Sequence, residues 1–264
     1  SEKRNKLLIL AEQLNKQLNL TVLNYLSSLV IMLFLFSCSQ KQEEDRSHMV
    51  FRYNEYGSIT SLDPAFSRNL PNIWATTHMF NSLVQLNDDL EIIPDLAEQW
   101  TISSDGLVYE FRIREDVFFH QHPAFGKSKT RKVNASDFAF SLKRLLDPQL
   151  ASPGGWVLQN VERIEAKNDQ LLIITLKQPF PAFLGLLSMR YCSVVPKEIV
   201  TKTEGNFRKN PIGTGPFAFK YWEEDVKLVL RKNPLYFERD DLGLSLPYLE
   251  SISISFVPDK QSEF

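Results

Sequence analysis

PDLAEQWTISSDGLVYEFRIREDVFFH (residues 94–120) carries the most sharply patterned strand of the chain. After the turn dipeptide Asp105-Gly106, Leu107, Tyr109, Phe111 and Ile113 alternate with Val108, Glu110, Arg112 and Arg114. Side chains on a strand point alternately to opposite faces, so this period of two predicts one buried and one polar face. The turn dipeptide predicts a hairpin.

Upstream, residues 50–56 read as a strand and residues 58–65 as a loop closed by Asp63-Pro64. Trp74, Thr77, Phe80 and Val84 then repeat at helical spacing. Downstream, Asn134 and Asp137 form a capping pattern, and Phe138, Leu142 and Leu145 make an apolar stripe that stops at Asp147-Pro148. A second hairpin is expected around Asn168-Asp169, feeding residues 171–176, which are apolar on both faces apart from Thr175 and so read as a covered strand. Pro181 and Pro196 stand where short helices would start. Three alternating sets close the chain: Phe217, Phe219 and Tyr221, then Val226, Leu228 and Leu230, then Ile252, Ile254 and Phe256. Helices and strands mix without a regular strand-helix repeat, which implies an α+β fold and not a doubly wound nucleotide-binding sheet.

Residues 20–38 hold no charge and end in Ser37-Cys38, with polar residues after them. Leu7, Leu10, Leu14 and Leu18 form an amphipathic lead-in, and Lys3, Arg4, Lys6 and Lys16 precede the run, as the positive-inside rule requires. A helix of that length spans about 28 Å, long enough for a permanent anchor. Small Ser37 before the cysteine favours the other reading, an export signal over residues 1–38 that ends in lipid attachment at Cys38, with residues 39–49 as a polar tether. Either reading puts everything after residue 45 outside the cytoplasm. With 43% hydrophobic and 23% charged residues the chain has material for a substantial core, and a net charge of −2 with no long basic run argues against nucleic acid as a partner. Cys38 and Cys192 are the two cysteines, too few for a disulfide framework or a thiolate zinc cluster. The stop directly after a strand-like segment leads us to expect a truncated reading frame.

The motifs PDLAEQWTISSDGLVYEFRIREDVFFH, NASDFAFSLKRLLDP, DQLLIITLKQPFPAFLGLL, NPIGTGPFAFKYW and LVLRKNPLYF occur in that order, after ITSLDPAF and HMFNSLVQL. Together they resemble the extracellular solute-binding proteins, family five, of oligopeptide and dipeptide ABC importers. The resemblance runs from about residue 50 to the end. It implies a periplasmic binding protein-like (type II, cluster C) two-lobed fold that closes on its ligand and presents it to a membrane permease. It assigns residues 50–83 and 186–264 to the first lobe and residues 84–185 to an inserted small domain, with the second lobe outside this chain. It implies peptide or another small solute as ligand, ABC permease subunits as partners and no cofactor; with the reading of residues 1–38, we expect a monomer tied to the membrane through lipid on Cys38.

The same resemblance places Ser58, Ile59 and Thr60 in the ligand-facing stretch, with Ser58 standing where the family has an acidic residue. It places Phe140 where the family often has an aromatic residue near the ligand; by its own composition Phe140 fits a core position as well. Trp156 follows Pro153-Gly154-Gly155 and suits either the cleft or packing. A peptide can be held through main-chain hydrogen bonds with side chains in hydrated pockets, so binding needs no catalytic residue.

Signatures of chemistry are weak. Gly213-Thr214-Gly215-Pro216 is followed by a strand pattern and not a helix, so it reads as a tight turn and not a phosphate cradle. No GxSxG elbow occurs, and Cys192 lies in apolar sequence without a neighbouring histidine. His120 and His122 suggest a two-imidazole metal site, but a solvated loop beside Pro123 is the favoured reading. Lys127, Lys129, Arg131 and Lys132 read as an exposed loop, and Asp88 and Asp89 as surface. We expect a binding protein and not an enzyme. Rival readings are the same fold holding an oligosaccharide or nickel chelate, or a surface lipoprotein hydrolase.

Overall fold

A computed structural model describes residues 49–202 and 206–257, together with Lys16. The apolar run 20–38 and Cys38 lie outside the described residues. Among those described, no helix is long and apolar enough to cross a membrane.

Strand β1 (Val50–Glu55) is laid parallel to β10 (Ser251–Phe256), with Val50 opposite Ser251 and Glu55 opposite Phe256. Antiparallel β9 (Lys227–Lys232) and β8 (Phe217–Glu223) complete a four-stranded sheet in the order β1-β10-β9-β8. Leu228, Leu230, Ile252 and Ile254 supply its buried face. A short ribbon joins β2 (Val84–Leu86) to β3 (Ile92–Pro94).

The second four-stranded sheet takes two of its strands from residues 94–120 and two from residues 161–176. β4 (Ala97–Ile102) and β5 (Val108–Ile113) form the hairpin around Gly106, whose φ of 70° suits glycine. Tyr109, Phe111 and Ile113 are buried, as the alternation requires. β6 (Val161–Ala166) and β7 (Leu171–Leu176) make the other hairpin, and the order is β4-β5-β7-β6. Leu172, Ile174 and Leu176 are fully covered, but Leu171 and Ile173 are only half-buried, so β7 has one core face and not two.

Helix α1 (Leu70–Thr77) starts on the Asn69 cap with Pro71 in its first turn. Helix α2 (Ala135–Leu145) opens with a capping box in which Asn134 and Asp137 bond each other's main-chain N–H, and it buries Phe138, Leu142 and Leu145. Two short helices follow: α3 (Phe183–Leu187), two residues after Pro181, and α4 (Lys197–Lys202), directly after Pro196. One periodic stripe breaks down. The helix stops at Thr77, so Phe80 and Val84 are not on it, and Trp74 is 51% exposed while Asn72, Ala75 and Thr76 face inward. The inner face of α1 is chosen by hydrogen bonds of Asn72 to Thr60 and of Thr76 to Ser67, which an apolar count does not see. In β8 a bulge between Phe219 and Tyr221 takes Tyr221 off the alternation and leaves it exposed, and Val226 falls in the turn before β9.

The Gly213-Thr214-Gly215 turn is packed against the main chain after α1. A Cβ at Gly213 would stand 2.0 Å from the Met79 carbonyl oxygen, and one at Gly215 would stand 2.6 Å from the Met79 carbonyl carbon. His120, only 1% exposed, holds the turn from the other side. Its Nδ1 accepts from the Gly213 N–H at 3.2 Å, which leaves the proton on Nε2 to donate to the Gly215 carbonyl at 2.9 Å. The solvated-loop reading of His120 is therefore corrected: the ring is an interior brace, recruited by partners more than ninety residues away. His122 is half-buried and caps the turn at Ala124 through Nδ1. Among the described residues no cluster of three or more metal-ligating side chains forms.

On the far side of the turn Thr214 donates to Asn81 Oδ1, Asn81 Nδ2 donates to Asp95, and the Ser82 N–H also donates to Asp95. Burial raises the Asp95 pKa to about 6, against the pull of the Ser82 and Asn81 donors and of Arg190, while Glu238 adds to the rise. Burial lowers the His120 pKa to about 4. The signs oppose. Between about pH 4 and 6 folded Asp95 holds a proton that its unfolded form, near 3.8, has lost, so its contribution to stability grows as pH falls. Unfolded His120, near 6.5, gains a proton that the folded ring refuses until about pH 4, so its contribution shrinks over much the same window. Each effect is on the order of 3 kcal/mol at about 1.4 kcal/mol per pH unit. In urea titrations at three pH values across this window, Asp95→Asn should lose stability towards acid relative to the parent chain, and His120→Gln should gain it. Parallel profiles for all three chains would remove this assignment.

Candidate functional site

One face of α2 packs into the core and the other looks into a cavity of about 1740 Å³. Ser136, Ala139, Phe140, Lys143 and Asp147 line it at three- and four-residue steps. Lys197, Val200 and Thr201 of α4 form a second wall. Thr60 and Ser61 from the loop after β1, with Asn69 and Asn72 from the start of α1, form a third.

The loop wall is held rigidly. Asn72 Oδ1 accepts from the Thr60 N–H at 2.9 Å, and its Nδ2 donates to Thr60 Oγ1 at 3.0 Å and to the Phe66 carbonyl at 3.2 Å. Arg208 Nε donates to the Thr60 carbonyl. Every polar group of Thr60 is therefore engaged within the protein. Asp63, 2% exposed, caps the turn Pro64–Phe66 through the Ala65 N–H and receives a two-pronged ion pair from Arg144 of α2, with Nη1 to Oδ1 at 2.9 Å and Nη2 to Oδ2. The Arg144 guanidinium also lies 5.8 Å from the centre of the Phe207 ring. This pair fixes the loop to the helix across the cavity floor.

Thr60 and Phe140 thus line one cavity. Phe140 is half-buried, its inner edge packed against the core and its ring 6.0 Å from the Lys197 ammonium, so one edge packs inward while the other lines the cavity. Ser58 and Ile59 are not in the cavity wall. Ile59 is 4% exposed with its side chain in the core, while Ser58 is exposed, and neither makes a hydrogen bond among the described residues. Main-chain pairing of the kind a peptide uses is thus open at exposed Ser58, shut off by burial at Ile59 and closed at Thr60. Trp156 is 49% exposed in the turn Gly155–Leu158 and lies outside the cavity wall. The loop before it is docked: Ser152 Oγ donates to the Ala65 carbonyl at 2.6 Å, and Gly154 is pressed on the Tyr191 ring.

Several residues escaped sequence reasoning. Arg131, placed with an exposed basic loop, donates instead to both oxygens of Asp137 and both of Glu198 and sits 4.9 Å over the Phe119 ring. Those carboxylates are 6 and 67 residues away, so charge counting in a short window could not find the pair. Arg208 and Asn72 escaped as well, and the signal for Asn72 was its place three residues after the Asn69 cap. Lys127 and Lys129 are exposed, as are Asp88 and Asp89. Cys192 is fully buried, and burial pushes its thiol up to about 12, which keeps it unreactive.

Residues 91–264 match the sequence model of the bacterial extracellular solute-binding proteins, family 5 middle region. Di/tripeptide-binding protein 2 of Pseudomonas aeruginosa is 37% identical over 195 residues, covering 67% of this chain and 36% of that protein. Probable di/tripeptide-binding protein 5 of the same organism is 33% identical over 186 residues, covering 64% of this chain and 34% of that protein. The chain therefore spans about a third of the length of these curated relatives. Among solved structures, the ABC transporter-associated periplasmic binding protein DppA from Helicobacter pylori, in complex with the peptide STSA, superposes with a TM-score of 0.72 at 31% identity, covering 81% of this chain and 43% of that one. NikZ from Campylobacter jejuni, in complex with Ni(L-His), gives a TM-score of 0.69 at 26% identity, covering 81% and 40% of the two chains. The α+β architecture is that of type II periplasmic binding proteins, and the chain belongs to family 5 of the bacterial extracellular solute-binding proteins.

Proposed function

We propose that this chain is part of a substrate-binding lipoprotein of an ABC importer, which captures dipeptides or oligopeptides outside the cytoplasmic membrane and hands them to the permease. The observation that carries the reading is the cavity between the Thr60 loop and α2, beside the exposed main chain of Ser58, which has no hydrogen-bond partner among the described residues, on a fold shared with a peptide-bound relative. Peptide binding needs extended main-chain donors and acceptors together with a roomy wet pocket, and both lie side by side here. Family membership supports capture without turnover. We place residues 50–83 and 186–264 in the first lobe and residues 84–185 in an inserted domain. In support, the sheet β1-β10-β9-β8 draws on both ends of the described chain and the sheet β4-β5-β7-β6 on its middle. Closure then requires a ligand that touches a second lobe, since only differential affinity shifts the open and closed populations. The anchor is lipid on Cys38, and the working state is a monomer.

Incubation with a dipeptide and tripeptide mixture, followed by mass spectrometry of bound and free fractions, should show capture at up to one peptide per chain with every peptide intact. Release of cleaved products would replace this reading with the hydrolase. Metabolic labelling with palmitate should tag the parent chain and leave Cys38→Ser untagged; equal labelling of both would remove the lipid anchor.

A further inference from the structure

The cavity wall is basic on a chain that is acidic overall. Arg68, Lys143, Arg144, Lys197 and Arg208 line it against only Asp63 and Asp147, while the whole chain carries −2. Two of those cations are satisfied internally, Arg144 by Asp63 and Arg208 by Glu224. Arg68, Lys143 and Lys197 are exposed and meet no carboxylate among the described residues. Asp147 accepts from the Gln149 N–H, so its charge is partly spent on its own turn. Lys143 projects from the same face of α2 as Phe140, and the Lys197 ammonium lies near the Phe140 ring from the opposite wall, so cations flank the aromatic surface on two sides. A concave, low-dielectric wall focuses such a field on whatever enters it.

Resting on the peptide-binding reading, we infer that this cavity selects peptides with acidic side chains, whose carboxylates meet Arg68, Lys143 and Lys197 while an apolar or main-chain portion lies on Phe140. Exposed pairs are individually weak, so the discrimination comes from their sum and is sensitive to salt.

The test uses the 264-residue chain with Ala-Glu-Glu and its uncharged isostere Ala-Gln-Gln, titrated by NMR into the low-millimolar range. Ala-Glu-Glu should bind about tenfold more tightly at low ionic strength, the sum of a few exposed pairs, and the margin should shrink in high salt. The triple variant Arg68→Gln, Lys143→Gln, Lys197→Gln should erase the margin while its unfolding midpoint stays at the parent value, since all three side chains are exposed. Equal binding of the two peptides overturns the inference and leaves the peptide reading standing. Binding of citrate that the triple variant loses, with neither peptide bound, overturns both the inference and the peptide reading. No binding of any of the three overturns the inference.

Discussion

Replacing Arg144 by methionine will lower the unfolding free energy by about 3–5 kcal/mol, because it strands the Asp63 carboxylate in a site where its side chain is 3% exposed. The guanidinium, 11% exposed, is the cation that offsets the cost of taking that carboxylate out of water. The paired atoms lie 81 residues apart, so the bond also fixes the loop after β1 against α2. Asp63→Asn keeps an oxygen to accept from the Ala65 N–H and leaves Arg144 partly stacked near Phe207, so it should cost less, about 2–3 kcal/mol. The double variant Asp63→Asn, Arg144→Met should cost well under the sum, since no buried charge remains to be stranded. Urea unfolding of the four chains supplies the cycle. Costs that add to within about 0.5 kcal/mol would show that the two groups do not act as a pair.

The second large effect comes from a single methyl group. Gly213→Ala puts carbon 2.0 Å from the Met79 carbonyl oxygen and 2.7 Å from Phe80 Cδ1, and the first obstacle is main chain that cannot swing aside. Relief requires the turn to lift from Met79, which breaks the Gly215 N–H to Met79 carbonyl bond of 2.9 Å and the bonds to His120. A loss above about 4 kcal/mol is expected, enough to deplete the soluble folded protein. Gly185→Ala is the control. Gly185 lies within α3 with nothing within 4 Å of the added carbon, and there the same change should be neutral or stabilising by about 0.5–1 kcal/mol. Soluble yield and the thermal midpoint by circular dichroism separate the two. Equal behaviour of the two alanine variants would refute the close-approach account of the turn.

The elements that the sequence disclosed are those whose cause is local. The Asp105-Gly106 hairpin, the Asn134 cap and the alternation through Ile252, Ile254 and Phe256 each need only neighbouring residues, and each is present in the fold. What stayed hidden depends on distant partners. His120 is defined by Gly213 and Gly215, and Arg131 by Glu198. The outward turn of Trp74 follows from the bond between Asn72 and Thr60. In the candidate site, Thr60 and Phe140 are named through the family resemblance and not from a local cause, and the closure of the Thr60 main chain could not be foreseen, because its acceptor and donor sit on α1 and at Arg208.

The parallel pairing of β1 with β10 also sets a timetable for biosynthesis. Val50 emerges from the ribosome some two hundred residues ahead of its neighbour Ser251. At about 5–20 residues per second, the first strand waits roughly 10–40 s before that edge can be occupied. Its contacts are among the most non-local in the molecule, and such pairings slow the search for the native state. The sheet β1-β10-β9-β8 therefore cannot close until almost the last described residue has been made, whereas β4-β5-β7-β6 has all its strands by residue 176.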